Sequence, residues 1–148
     1  MNLPYRRFGR TNLNMPVLSL GGMRFQQSWN YLDSSAITTK QRNKLDNLLN
    51  LASEYGFNHI ETALHYGTSE LELGLSINSS YRKSIIIQTK IPPDKNIDIF
   101  TENLENSFKN LRVKKIDLIA IHGLNNEDHL FQSVRDGGCV DVLRKYQK

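Results

Sequence analysis

The sequence predicts an α/β protein on a parallel sheet: a β-hairpin, then four strand–helix units. Three observations carry this. Short apolar runs at 57–61, 84–89 and 116–121 alternate with segments of helical period, the pattern of strands joined by helical crossovers. The run Ile85-Ile86-Ile87 is apolar without a break, as a strand covered on both faces must be. Finally, Glu61, Lys90 and His122 fall at or just past the ends of three successive runs, where parallel α/β barrels gather their active-site groups.

The elements follow in order. Tyr5 to Val17 reads as a hairpin around Gly9-Arg10-Thr11-Asn12, a stretch rich in turn formers. Val17-Leu18-Ser19-Leu20 is a short strand ended by Gly21-Gly22, and Gln26 to Ala36 shows no period and reads as a loop. Thr38 opens a helix with Gln41 completing a capping box. Leu45, Leu48, Leu49 and Ala52 share its apolar face, and Gly56 supplies the left-handed residue beyond its end. After the strand at Phe57 to Glu61, Ser69-x-x-Glu72 repeats the capping pattern at the next helix. Ser84 to Thr89 is the third strand, stopped by Pro92-Pro93. Ile97 to Leu111 carries Phe100, Leu104, Phe108 and Leu111 on one helical stripe. Ile116 to Ile121 is a fourth buried strand, and Val140 to Tyr146 a last helix.

Four such units can form an open doubly wound sheet or half of an eight-fold barrel. The first needs a glycine-rich turn leading into a helix, and Gly21-Gly22 has neither the spacing nor the helix. A complete barrel takes ~250 residues, and this chain has 148.

Composition narrows the function classes. Lys+Arg exceed Asp+Glu by 19 to 15, a net charge of +4. The excess is scattered over Arg6/Arg7/Arg10, Arg82/Lys83, Arg112/Lys114/Lys115 and Arg144/Lys145/Lys148, without the aromatic interleaving of a nucleic-acid surface. It reads as solvated surface, with a basic mouth for a phosphorylated cofactor as the alternative. One cysteine, Cys139, leaves no internal disulfide framework or multi-cysteine metal site. No apolar stretch follows the early arginines as in a secretory signal, and none approaches a membrane span, so the expectation is a cytoplasmic protein.

Tyr66 and Lys90 are the pair of chemical interest. A phenol is a poor acid at neutral pH, but a neighbouring ammonium stabilises its phenolate. Glu61 would keep such a lysine charged and oriented, and His122 could donate to a carbonyl oxygen as charge develops there. Together these groups suit proton transfer to a carbonyl oxygen while hydride, which only a cofactor can supply, arrives at carbon. Taken singly, each has a plain structural reading: Lys90 as a solvated loop lysine, Tyr66 as a core aromatic, His122 as a hydrogen-bonded structural histidine. His65 would point away from Tyr66 in an extended stretch, and Ser69 and Glu70 read as a cap and a helix-dipole partner. Joint placement on three strand ends favours chemistry.

Here the sequence resembles a known family. Arg7-Phe8-Gly9-Arg10-Thr11-Asn12-Leu13 with Leu20-Gly21-Gly22-Met23-Arg24-Phe25 is similar to the opening of the aldo/keto reductases. Glu61-Thr62-Ala63-x-x-Tyr66-Gly67-x-Ser69-Glu70-x-x-Leu73-Gly74 resembles their first signature, Gln88-Thr89-Lys90 their lysine strand, and Ile116-Asp117-Leu118-x-x-x-His122 the strand that carries their histidine. The resemblance implies the N-terminal half of a (β/α)8 TIM barrel, preceded by a β-hairpin, spanning residues 1–148. It implies reduction of a small carbonyl substrate with NADP as cofactor. Tyr66 would be the general acid, Lys90 its partner, His122 the carbonyl-orienting donor, and Glu61 the lysine's counter-ion near the nicotinamide ribose. Gly21, Gly22 and Met23 would lie against the nicotinamide. No metal, membrane or nucleic-acid partner is implied.

Two departures stand out. Glu61 occupies a position usually held by aspartate; a bacterial branch with a cysteine-rich, iron–sulfur-type tail is similar here and at Gly137-Gly138-Cys139. The last two βα loops, which mainly build the family's pyrophosphate and adenosine-phosphate site, have no counterpart. The expectation is an inactive fragment that self-associates through unpaired sheet edges. A non-catalytic cofactor-binding or regulatory module is the alternative, and a barrel lyase or isomerase using Lys90 for a Schiff base a further one.

Overall fold

The hairpin forms where the turn residues place it: β1 (Tyr5–Arg7) pairs antiparallel with β2 (Asn14–Pro16). The computed structural model describes residues 3–77 and 79–147, so of the basic residues named above only Lys148 lies outside it. The turn between the strands needs Gly9, whose φ of +55° is strained for other residues. The Tyr5 hydroxyl donates to the Gly56 carbonyl at 2.5 Å and fastens the hairpin to the segment that leads into the strand at 59–61.

Among the described residues four parallel strands follow: β3 (Leu20–Gly21), β4 (His59–Glu61), β5 (Ile86–Ile91) and β6 (Leu118–Ile121), ordered β3-β4-β5-β6. Each new strand adds to the same edge of the sheet. A doubly wound sheet would reverse direction, so this order is that of a barrel, open between β3 and β6 among the described residues. The register sets Gly21 opposite Glu61, Glu61 opposite Gln88, and Lys90 opposite Ala120.

Among the described residues, six α-helices lie between or after the strands: α1 (Thr39–Glu54), α2 (Ser69–Ser76), α3 (Ser79–Arg82), α4 (Ile97–Leu111), α5 (Glu127–Val134) and α6 (Cys139–Tyr146). Alternation along the strands sorts side chains between two faces. Ile60 and Ile87 pack outward with Leu45, Leu49, Leu73 and Leu111. Ile91 packs with Phe100, Leu104, Cys139 and Val142. The opposite face mixes Ile86, Leu118 and Ala120 with polar groups, and on it the His59 ring bridges Ser19 Oγ at 2.6 Å and Gln88 Oε1 at 3.1 Å. One step nearer the strand ends, Glu61 meets Lys90 on the same face.

Several expectations need correction. The first parallel strand is only Leu20–Gly21, paired with Ile60 and Glu61 of β4, while Val17 and Leu18 are exposed and the Val17 amide bonds the Pro4 carbonyl of the hairpin. Gly21 therefore belongs to the strand it was expected to end. The strand after it begins at His59, and the third runs on to Ile91, placing Lys90 inside it. β6 is half-exposed throughout instead of buried, as an edge strand must be. Leu48 is exposed while Leu45, Leu49 and Ala52 are buried. The 26–36 loop ends in a 3-10 turn at Ser34–Ala36. Helices α3 and α5 escaped the periodicity reading because neither carries a long apolar stripe.

The capping boxes also differ. Thr38 caps α1 by accepting from the Gln41 amide at 3.2 Å, but the Gln41 side chain turns to Glu72 and the Phe25 carbonyl. Thr68, not Ser69, is the N-cap of α2. Ser69 instead bonds Thr62 Oγ1 at 2.7 Å and the Gly22 carbonyl at 2.8 Å.

Helices α2 and α4 approach through Gly74, where a Cβ would lie 2.2 Å from the Asn110 carbonyl oxygen. Gly74→Ala must push the helices apart and is expected to cost about 1–3 kcal/mol, read as a lower urea midpoint. An unchanged midpoint would show that the contact yields freely.

Candidate active site

Lys90 is the centre of the cluster. Its Nζ donates to Glu61 Oε1 at 2.7 Å, to the Thr62 carbonyl at 3.2 Å and to the Tyr66 hydroxyl at 3.2 Å. Three acceptors match the three protons of an ammonium. The side chain of Lys90 is 15% exposed, so the charge is largely withdrawn from water and depends on these partners. Glu61, despite its extra methylene, reaches the lysine directly.

Tyr66 arrives by a turn. Its amide bonds the Ala63 carbonyl at 3.0 Å and its carbonyl accepts from Ser69 at 3.1 Å. The stretch is not extended, so the expectation that His65 points away from the site fails. The His65 ring lies 6.1 Å and the Tyr66 ring 5.6 Å from that of His122. His122 follows β6 directly, its amide bonded to the Ile91 carbonyl at 2.8 Å. Its buried Nδ1 has no hydrogen-bond partner among the described residues. Burial first, then the Lys90 and His65 charges, hold its pKa below the usual histidine value. A neutral imidazole at neutral pH follows, able to donate a hydrogen bond without being charged.

Gly21, Gly22 and Met23 sit beside this cluster. Gly21 pairs with Glu61, and a Cβ at Gly21 would touch nothing, leaving open space over the strand end. A Cβ at Gly22 would lie 2.8 Å from the Glu61 carbonyl oxygen, so the close approach requires glycine. Met23 is exposed. Of the three residues, Gly21 and Gly22 border Glu61, and open space lies beside Gly21 alone.

Glu70 lies in the first turn of α2, where a helix-dipole partner belongs. It is buried, accepting from Thr89 Oγ1 at 2.5 Å and Asn110 Nδ2 at 3.2 Å. Burial raises its pKa, against those hydrogen bonds. It ties α2 to the strand position next to Lys90.

Sequence reasoning missed two contributors. Thr62 offers its backbone carbonyl to Lys90, which no side-chain pattern reveals. The loop at 26–30 covers the Tyr66 turn: a Cβ at Gly67 would lie 2.0 Å from the Ser28 carbonyl oxygen and 2.7 Å from Trp29 Cα. The glycine after Tyr66 was the available signal.

A cavity of about 320 Å³ adjoins His122, lined by His65, Pro92, Pro93 and His129 among others. A larger one of about 790 Å³ opens at the opposite strand ends among Arg82, Lys83, Arg112 and Lys114, away from the cluster. No group of three His, Cys, Asp or Glu side chains among the described residues could hold a metal ion. No helix among them is long and apolar enough to cross a membrane.

Parallel strands added to one edge, with a lysine, tyrosine, histidine and carboxylate gathered at or near their ends, define the open part of a barrel-type α/β scaffold. The chain belongs to the aldo/keto reductase family, whose pattern matches residues 17–143. Its fold is similar to that of a Pseudomonas aeruginosa protein assigned as an aldo-keto reductase, with a TM-score of 0.77 and 28% identity. That match covers 95% of this chain and 56% of the other. A thermostable aldo-keto reductase, Tm1743, solved with the inhibitor epalrestat, matches with a TM-score of 0.70 and 28% identity over 91% of this chain and 51% of its own. An aldo-keto reductase of Bacillus halodurans in its holo form shares the fold, with a TM-score of 0.56 and 23% identity over 82% of this chain and 38% of its own. The chain therefore spans about half the length of the first two structures. No curated protein matches it.

Burial holds the pKa of His59 below 6.5, ahead of the opposing effects of Gln88 and Glu61. The unfolded chain then binds the proton more readily than the folded one. The stability from a neutral His59 is present above about pH 6.5 and is lost as pH falls toward the lower folded value. Urea midpoints are expected to drop on acidification from pH 7 to 5, and to drop less in His59→Gln. Identical pH slopes in the two proteins would refute the assignment.

Proposed function

We propose that these residues are the proton-transfer half of a cytoplasmic, NADPH-dependent reductase of small aldehydes or ketones, and that the 148-residue chain is inactive by itself. The observation that carries the reading is the set of three hydrogen bonds from Lys90, which joins Tyr66 to Glu61 at a strand end. A reduced nicotinamide, when bound, supplies the hydride. Gly21, Gly22 and Met23 would border it, with Glu61 near its ribose.

The chain's own groups account for the proton. The substrate carbonyl oxygen accepts from the Tyr66 hydroxyl and from the neutral His122 ring. As negative charge develops on that oxygen, Tyr66 delivers its proton, and the Lys90 ammonium stabilises the phenolate left behind. Glu61 keeps Lys90 charged throughout, and the reach of its carboxylate to Nζ supports glutamate in place of aspartate.

Inactivity of the chain alone follows from two considerations. It covers about half of its solved relatives, and the family resemblance puts most of the cofactor's phosphate site in the half not represented here. The sheet also has edges at β3 and β6 with no further strand among the described residues, which favours self-association.

The decisive experiment joins residues 1–147 in frame to the C-terminal half of the Pseudomonas aeruginosa relative. The chimera is expected to oxidise NADPH with a generic aldehyde, and Tyr66→Phe to reduce turnover by roughly 10²–10⁴-fold while cofactor affinity persists. Equal turnover in the variant would refute the role of Tyr66. The 148-residue chain alone is expected to elute as an oligomer in gel filtration and to show no NADPH oxidation. A monomeric, active species would contradict the second part of the proposal.

A further inference from the structure

Glu72 is buried, with 1% of its surface exposed, and forms no ion pair among those found in the described residues. A carboxylate withdrawn from water this way must be held by hydrogen-bond donors. Three converge on it from three separate segments. Oε1 accepts from the Thr68 hydroxyl at 2.5 Å and from the Gln27 amide, and Oε2 accepts from Gln41 Nε2 at 2.6 Å. Thr68 is the N-cap of α2, Gln27 begins the loop after β3, and Gln41 lies in the first turn of α1.

The convergence bears on the chemistry because of what Thr68 and Gln27 do next. Thr68 Oγ1 also accepts from the Gln27 and Ser28 amides, at 3.0 and 3.2 Å, and the Thr68 amide donates to the Ser28 carbonyl at 2.9 Å. Gln27 itself spans the loop, accepting from the Thr38 amide at 2.9 Å and donating to the Ala36 carbonyl at 2.9 Å. The loop is thereby closed on itself and pressed on Gly67, where only a residue without Cβ fits. Gly67 is the neighbour of Tyr66.

We propose that Glu72 is a positioning residue for Tyr66: its buried carboxylate clamps the 26–38 loop onto the Tyr66–Gly67 turn and so fixes that turn. The inference rests on the reading of Tyr66 as the proton donor, but its test does not use turnover. Its failure is thus distinguishable from failure of the reductase reading.

Trp29 is the chain's single tryptophan and lies in the clamped loop, so its fluorescence reports on that loop alone. In Glu72→Ala, acrylamide quenching of Trp29 is expected to rise, and amide protection at Tyr66 and Thr68 to fall by about tenfold in hydrogen exchange. Protection at Ile87 and Leu104 should stay at the wild-type level. Glu72→Gln keeps an acceptor for Thr68 and Gln27, and should restore most of both signals. Leu104→Ala controls for general destabilisation and should leave Trp29 quenching unmoved. Wild-type quenching and protection in Glu72→Ala would overturn the proposal. So would loss spread evenly over the chain, as in the Leu104→Ala control.

Discussion

One cation organises this half-barrel's reactive end. The Lys90 ammonium lies largely out of water, and each of its three protons has a different acceptor: a carboxylate, a backbone carbonyl and a phenol. Removing any acceptor would leave a poorly solvated proton, so the three are placed by one requirement. Glu61 comes from β4, Thr62 continues from it, and Tyr66 returns over both by a tight turn. His122, directly after β6, sets its ring 5.6 Å from that of Tyr66.

That geometry depends on register, and register depends on the hydrophobic face. Ile60, Ile87 and Ile91 are fully buried against α1, α2, α4 and α6, which sends His59, Glu61, Gln88 and Lys90 to the other side. A slip of one residue would bury Lys90 among helices and expose the isoleucines, a change that a marginally stable domain does not survive. The apolar core therefore aims the reactive groups as well as holding the strands. Buried carboxylates do related work: Glu70 ties α2 to Thr89 on β5, and Glu72 gathers the segments around Tyr66.

Much of this was legible in the sequence. The isoleucine run, the stripe on α4 and the glycine after α1 each follow from short-range physics, and the observed elements match them closely. The family signature placed Glu61, Tyr66, Lys90 and His122 together, and in the fold Lys90 bonds Glu61 and Tyr66 while the His122 ring lies 5.6 Å from that of Tyr66. What was not legible involves partners distant in sequence. Ser69 and Glu72 fit a local capping pattern, yet their side chains serve Gly22, Gln27 and Gln41, more than 25 residues away. The ends of β3 and β5 shifted because strand limits are set by the neighbouring strand. The half-exposed β6 reflects its edge position, which its composition alone does not disclose.

If Glu61 and Tyr66 lock Lys90 in place, its chemical reactivity must show it. Limited acetylation of the 148-residue chain, read site by site by mass spectrometry, compares Lys90 with the solvent-facing Lys40 and Lys44. The account predicts that Lys90 reacts far more slowly than both, and that Glu61→Gln speeds it while leaving Lys40 unchanged. A Lys90 that is acetylated as fast as Lys40 in the unaltered protein would contradict it.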